Sequence, residues 1–262
     1  MASNNCSSDG HDHSHGRSDS HDHSHGHSHS HDHSHGRNHG HNHGDKWVTD
    51  WEDYDSNPKV TLFVDKTLTF ITSQDWFSGT ISMLDFGCGP GHLMCSLVSK
   101  HGVVSATGAD VEPGMLEVCN KRITREGLAD KVSTILLSTE DASDLTGEFD
   151  LVTSTFAMGH VRGSLVDTVI KKLVESVSPG GHLVIAEFDN HSAQHGEEGD
   201  KFVSDGGHAH TTFTVDILKG LFEKYGLVVN PDHDLLEYDF PLFDEKALTK
   251  CVIMVGTRAS SI

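Results

Sequence analysis

The chain has 262 residues, a formal net charge of −20 and 23 histidines. An acid excess of this size disfavours nucleic acid, whose phosphates need a basic surface, and anionic lipid for the same reason. Five cysteines (Cys6, Cys88, Cys95, Cys119, Cys251) make an odd set without framework spacing, the N-terminus lacks an apolar leader core, and no apolar run is long enough to span a bilayer; these features fit a soluble cytoplasmic protein with free thiols.

Residues 1–45 read as a disordered tail and 46–262 as one folded domain. Fourteen histidines between residues 9 and 44 alternate with Asp, Ser, Gly and Asn, and His-Asp-His-Ser-His-Gly recurs from positions 11, 21 and 31. With almost no apolar side chains, the segment cannot offset its ordering entropy. Clustered neutral imidazoles bind Zn²⁺ or Ni²⁺, which makes His11, His13, His15, His21, His23 and His25 candidate ligands; a solvated tail is the alternative.

Trp47, Trp51 and Tyr54 lie in an aromatic, acidic bridge, and Val60, Phe63, Val64, Thr67, Leu68 and Ile71 then recur at helical spacing after Pro58. Next comes a short apolar strand (Ile81, Met83, Leu84, Phe86) running into Gly87-Cys88-Gly89-Pro90-Gly91 and an amphipathic helix. Strand, glycine turn and helix form the nucleotide-binding opening of an α/β sheet. The spacing is not G-x-G-x-x-G, Pro90 removes one backbone N–H, and Asp85 at the strand end repels phosphate but suits a cationic ligand.

Asp85-Phe86-Gly87-Cys88-Gly89-Pro90-Gly91 resembles motif I of the class I S-adenosylmethionine (AdoMet)-dependent methyltransferases, and later segments resemble the small-molecule, quinone-biosynthesis-like branch. The resemblance implies a Rossmann-like α/β fold: a seven-stranded, mostly parallel sheet with helices on both faces and a C-terminal antiparallel hairpin. It implies AdoMet over Gly87, Gly89 and Gly91, with Asp85 near its amino acid end. It also makes Trp47, Trp51 and Tyr54 lid candidates, although ordinary packing is the commoner use of aromatic side chains.

A second strand, 103–111, ends in Asp110, placed to accept from ribose hydroxyls, with Val111 against adenine. Met115, Val118, Cys119 and Ile123 form a helix face that Gly127 closes. A third strand (Val132 to Leu137) leads to Ser138-Thr139-Glu140-Asp141-Ala142, where Asp141 matches the family's adenine acceptor beside Ala142, with Glu140 and Asp144 as alternatives. The fourth strand runs from Phe149 toward His160, near which small-molecule members often carry a histidine. Neither Asn/Asp-Pro-Pro-Tyr/Phe nor Pro-Cys follows it, so nucleic acid acceptors are disfavoured again.

Val166, Ile170, Leu173, Val174 and Val177 mark a helix closed by Pro179-Gly180-Gly181, and His182–Phe188 is the fifth strand. A polar loop over 189–213 carries His208 and His210, which join His160 as catalytic candidates; a general base, a metal ligand or a solvated histidine would each suit that pair. Two closing strands, around Leu236–Phe240 and Cys251–Gly256, complete the sheet. The expected function is AdoMet-dependent methyl transfer to O, N, S or C of a small molecule. A protein substrate, and an inactive relative acting through a metal-binding tail, are the alternatives; oligomeric state is open.

Overall fold

The computed structural model describes residues 51–189, 213–230, 232, 234–244 and 247–260. Helices α1 (Trp51–Ser56) and α2 (Pro58–Thr72) precede the first strand, β1 (Ser82–Phe86). The chain then runs through α3 (His92–Lys100), β2 (Ser105–Asp110), α4 (Pro113–Arg125), β3 (Val132–Leu136) and β4 (Phe149–Thr155). A single 3-10 turn (Met158–His160) leads to α5 (Gly163–Glu175) and β5 (Val177–Asp189). The last elements are α6 (Val215–Lys224), β6 (Leu227–Val228), β7 (Leu235–Asp244) and β8 (Ala247–Arg258).

Strand order is β3-β2-β1-β4-β5-β8-β6, with β7 also on β8. The first five are mutually parallel, and β8 is antiparallel to β5. Val228 pairs with Thr257 and Leu235 with Met254, so β6 and β7 follow one another along the same edge of β8. Eight strand segments thus occupy the seven expected positions. Topology reverses at β1, between β2 and β4, and ligands of open α/β sheets bind outside the strand C-termini at such a point.

Alternation along the central strands divides the core into two layers. Met83, Leu151, Val184 and Ile253 face the side packed with Leu93, Leu97 and Ile71. Leu84, Val152, Leu183 and Val252 face the side packed with Val166, Ile170, Leu218 and Phe222. Because both faces are covered, these strands read as continuous apolar runs.

Local signals set the helix ends. Asn57 Oδ1 accepts from Lys59 N–H at 2.9 Å with Pro58 opening α2, and Glu112 caps α4 through Gly114 N–H at 3.1 Å. One expectation is corrected: α5 stops at Glu175, and Val177 and the Pro-Gly-Gly turn belong to β5. Val177 pairs with Phe149, the register slips before Leu151 meets His182, and Gly180 absorbs the irregularity at φ +83°.

Candidate active site

At the C-terminal edge of β1, Gly87 and Cys88 donate to the Ala109 carbonyl at 2.7 and 3.2 Å, turning the chain sharply beside β2. Gly87, Gly89 and Gly91 have φ of +67°, +50° and +79°, a region that side chains with Cβ enter only under strain. A Cβ on Gly87 would lie 2.1 Å from Ala157 Cβ, and one on Gly91 2.6 Å from Cys119 Sγ. At Gly89 the nearest atom would be Met115 Sδ at 3.9 Å, an ordinary contact, so there it is the left-handed φ that favours glycine.

Two buried carboxylates flank the turn. Asp85 is 3% exposed and accepts from Thr153 Oγ1 at 2.7 Å, because Asp85 and Thr153 are register partners on β1 and β4. Burial pushes its pKa up to about 7; the Thr153 hydrogen bond opposes the shift and the Asp110 charge adds to it. Asp110, at the end of β2, accepts from Gly89 N–H at 2.8 Å and from Glu112 N–H at 2.9 Å. It thereby ties the glycine loop to the start of α4. Burial raises its pKa, and the backbone donors limit the rise.

The remaining expected site residues are distributed as follows. Val111 follows Asp110 and is 45% exposed, an uncovered apolar side chain at the strand end. Ala142 is buried at φ +60°. Half-buried Asp141 turns back on its own loop, accepting from Thr139 Oγ1 at 2.5 Å and Ser143 N–H at 3.0 Å; Glu140 meets Arg162 and Asp144 meets Ser138. His160 is exposed on the 3-10 turn after β4. His208, His210 and the histidines His11, His13, His15, His21, His23 and His25 lie outside the described residues, as does Trp47. Among the described residues no three His, Cys, Asp or Glu side chains are grouped as a metal site.

Several features at this edge were not expected from the sequence. Glu187, near the end of β5 and 2% exposed, accepts from Gly159 N–H at 3.1 Å. Burial pushes its pKa up to about 7. The neighbouring Phe156 has φ +53°, and its ring packs 4.0 Å from that of Phe63 and 4.5 Å from that of Phe188, centroid to centroid. An acid at a strand end was the available signal for Glu187, but periodicity does not distinguish a buried acid from a solvated one.

Helix α1 lies against the same edge. A Cβ on Gly114 would sit 2.2 Å from Trp51 Nε1, so the glycine is what admits the indole at the first turn of α4. Burial and the charge of nearby Asp110 raise the Tyr54 hydroxyl above its usual pKa. Trp51 and Tyr54 thus pack beside Asp110 and the start of α4.

Comparison with known proteins gives the same picture. The profile of a methyltransferase-domain family matches residues 55–231. Over 141 residues, 54% of this chain and 49% of its relative, the sequence is 30% identical to malonyl-[acyl-carrier protein] O-methyltransferase of Priestia megaterium. Over 107 residues, 40% of this chain and 41% of the relative, it is 28% identical to a ubiquinone/menaquinone biosynthesis C-methyltransferase of Hydrogenovibrio crunogenus. The chain spans about half or less of the length of these curated relatives. Among solved structures, the N-methyltransferase NodS of Bradyrhizobium japonicum, in complex with S-adenosylhomocysteine, shares the fold at TM-score 0.57 and 20% identity, covering 78% of this chain and 89% of that one. An O-methyltransferase family protein from Burkholderia thailandensis does so at 0.61 and 15%, covering 81% and 60%. By the profile match over most of its length, the chain belongs to the methyltransferase-domain family.

Proposed function

We propose that the chain is an AdoMet-dependent methyltransferase acting on a small-molecule acceptor. One observation carries this reading: three left-handed glycines between two buried carboxylates, with Gly89 N–H held by Asp110. The residues fit the cofactor. Asp85 offers negative charge to an ammonium, Asp110 retains lone pairs for ribose hydroxyls, and Val111 offers an apolar face for adenine; Asp141 reaches adenine by releasing its own turn.

Bound AdoMet supplies an activated methyl group on sulfonium, open to in-line attack by an acceptor lone pair. The chain's task is then alignment and exclusion of water, which alone gives large accelerations. Phe63, Phe156 and Phe188 present an apolar wall at the ends of β4 and β5 suited to the acceptor side. In this reading His160 accepts a proton from an acceptor hydroxyl or amine, a role it shares with His208 and His210. The names of the relatives, an acyl-carrier O-methyltransferase and a quinone C-methyltransferase, support a small-molecule class.

The test is calorimetric titration of the full chain with S-adenosylhomocysteine (SAH) and, separately, NAD⁺, using Asp110→Ala as control. SAH binding weakened at least about tenfold in the variant is expected, since a charge-assisted partner is worth about 1.5–3 kcal/mol. Binding of NAD⁺ alone would overturn the reading.

The fourteen tail histidines support a second, separate reading: His11, His13, His15, His21, His23 and His25 bind Zn²⁺ or Ni²⁺ outside the catalytic domain. Four free buried cysteines among the described residues support a reducing, cytoplasmic location. No described helix is long and apolar enough to cross a membrane.

A further inference from the structure

Arg122 projects from α4 and joins three elements that are far apart in sequence. Its Nε donates to the Pro90 carbonyl of the glycine loop at 3.0 Å. Its Nη2 lies 2.5 Å from Asp55 Oδ1 on α1 and 3.0 Å from His92 Nε2 at the first turn of α3. His92 Nε2 in turn sits 2.8 Å from Asp55 Oδ1, and Nη1 meets Glu126 at 3.4 Å on the solvent side. The side chains of Arg122, His92 and Asp55 are 12%, 15% and 19% exposed.

We propose that Arg122 is a positioning residue of the cofactor site, holding the glycine loop through Pro90 and helix α1 through Asp55 as a single unit. The proposal rests on the AdoMet reading of that site. Three physical points support it. The Pro90 carbonyl precedes a helix whose N-cap, Gly91, has no side chain to close the turn, so Arg122 supplies an external anchor for the loop. Helix α1 has only six residues, none of them fully buried, with Trp51 and Tyr54 half-buried. A helix so short is not stable alone, so its half-buried aromatics and its polar anchors together keep it in place. Helix α1 also reaches α4 through the exposed pair Glu52–Lys121 at 2.8 Å, which is worth little in water.

The position of α1 bears on the site because it carries Trp51 to Gly114 and Tyr54 to the neighbourhood of Asp110. Those are the two ends of the β2–α4 connection that holds Gly89. An arginine is required rather than a lysine: a planar fork reaches a carbonyl and a carboxylate at once, whereas an ammonium on a flexible stem satisfies one at a time.

SAH is titrated calorimetrically into the full chain and into Arg122→Gln, Arg122→Lys, Asp55→Asn and the Arg122→Gln/Asp55→Asn double variant, with the unliganded thermal midpoint of each recorded. Arg122→Gln is expected to weaken SAH binding about tenfold and Arg122→Lys to recover only part of it, within the range of coupling seen for shared networks. Asp55→Asn, which loses only the α1 contact and leaves Pro90 held, should weaken binding less. The double variant should bind no worse than Arg122→Gln, because both act through one unit. If Arg122→Gln and Asp55→Asn lower only the thermal midpoint and leave SAH affinity unchanged well below it, the role is structural and the proposal fails. Independent, additive losses would also overturn it. An unsubstituted chain that binds no SAH removes the cofactor reading, and this proposal with it.

Discussion

The ionisation of Asp85 gives the strongest test of the site. In the free chain this carboxyl is 3% exposed and titrates near pH 7. A ligand bearing an ammonium beside it favours the ionised form, so binding below pH 7 must expel a proton. With a pKa of about 7, roughly one molecule in eleven carries ionised Asp85 at pH 6 and ten in eleven at pH 8. Affinity for SAH should therefore rise about tenfold over that interval, equivalent to about 1.4 kcal/mol, and level off above it. Calorimetry at several pH values, in buffers of differing ionisation enthalpy, measures both the affinity and the proton released. Asp85→Asn should bind more weakly at pH 8 and show a flat profile. Affinity independent of pH in the unsubstituted chain, or an identical slope in Asp85→Asn, would refute the reasoning.

Two further outcomes follow from the same edge of the sheet. Gly87→Ala should lose about 2–4 kcal/mol of stability in chemical denaturation, from a left-handed φ of +67° and a Cβ placed 2.1 Å from Ala157 Cβ; a loss below 1 kcal/mol would mean that the β4 loop yields freely. Glu187 has its folded pKa raised to about 7, above the ordinary value near 4.3. Between those values the folded chain keeps a proton that the unfolded chain has released, so this group's contribution makes stability fall as pH rises through the window and level off above about 7. The Glu187→Gln substitution removes that slope, and its stability relative to the unsubstituted chain should improve by about 2–3 kcal/mol between pH 5 and pH 8. Parallel stability curves for the two proteins would contradict it.

The sequence by itself determined the sheet and the glycine turn, because both rest on local chemistry. Apolar runs covered on two faces mark parallel strands wherever they fall, and Gly87, Gly89 and Gly91 are needed for a backbone region that other residues enter only under strain. Asp110 was legible as the acid that closes the second strand. Tertiary structure decided the rest. Periodicity carries no register, so it did not reveal that Thr153 faces Asp85, that the Pro-Gly-Gly turn lies within β5, or that β6 and β7 share one edge of β8. The acid at Glu187 became distinctive only when burial removed its water. Asp55, His92 and Arg122 are unremarkable polar residues on three separate helices or helix ends; only the packing of α1 and α4 around the glycine loop brings them within hydrogen-bonding distance, and ionic contacts between distant segments leave no periodic trace in a sequence.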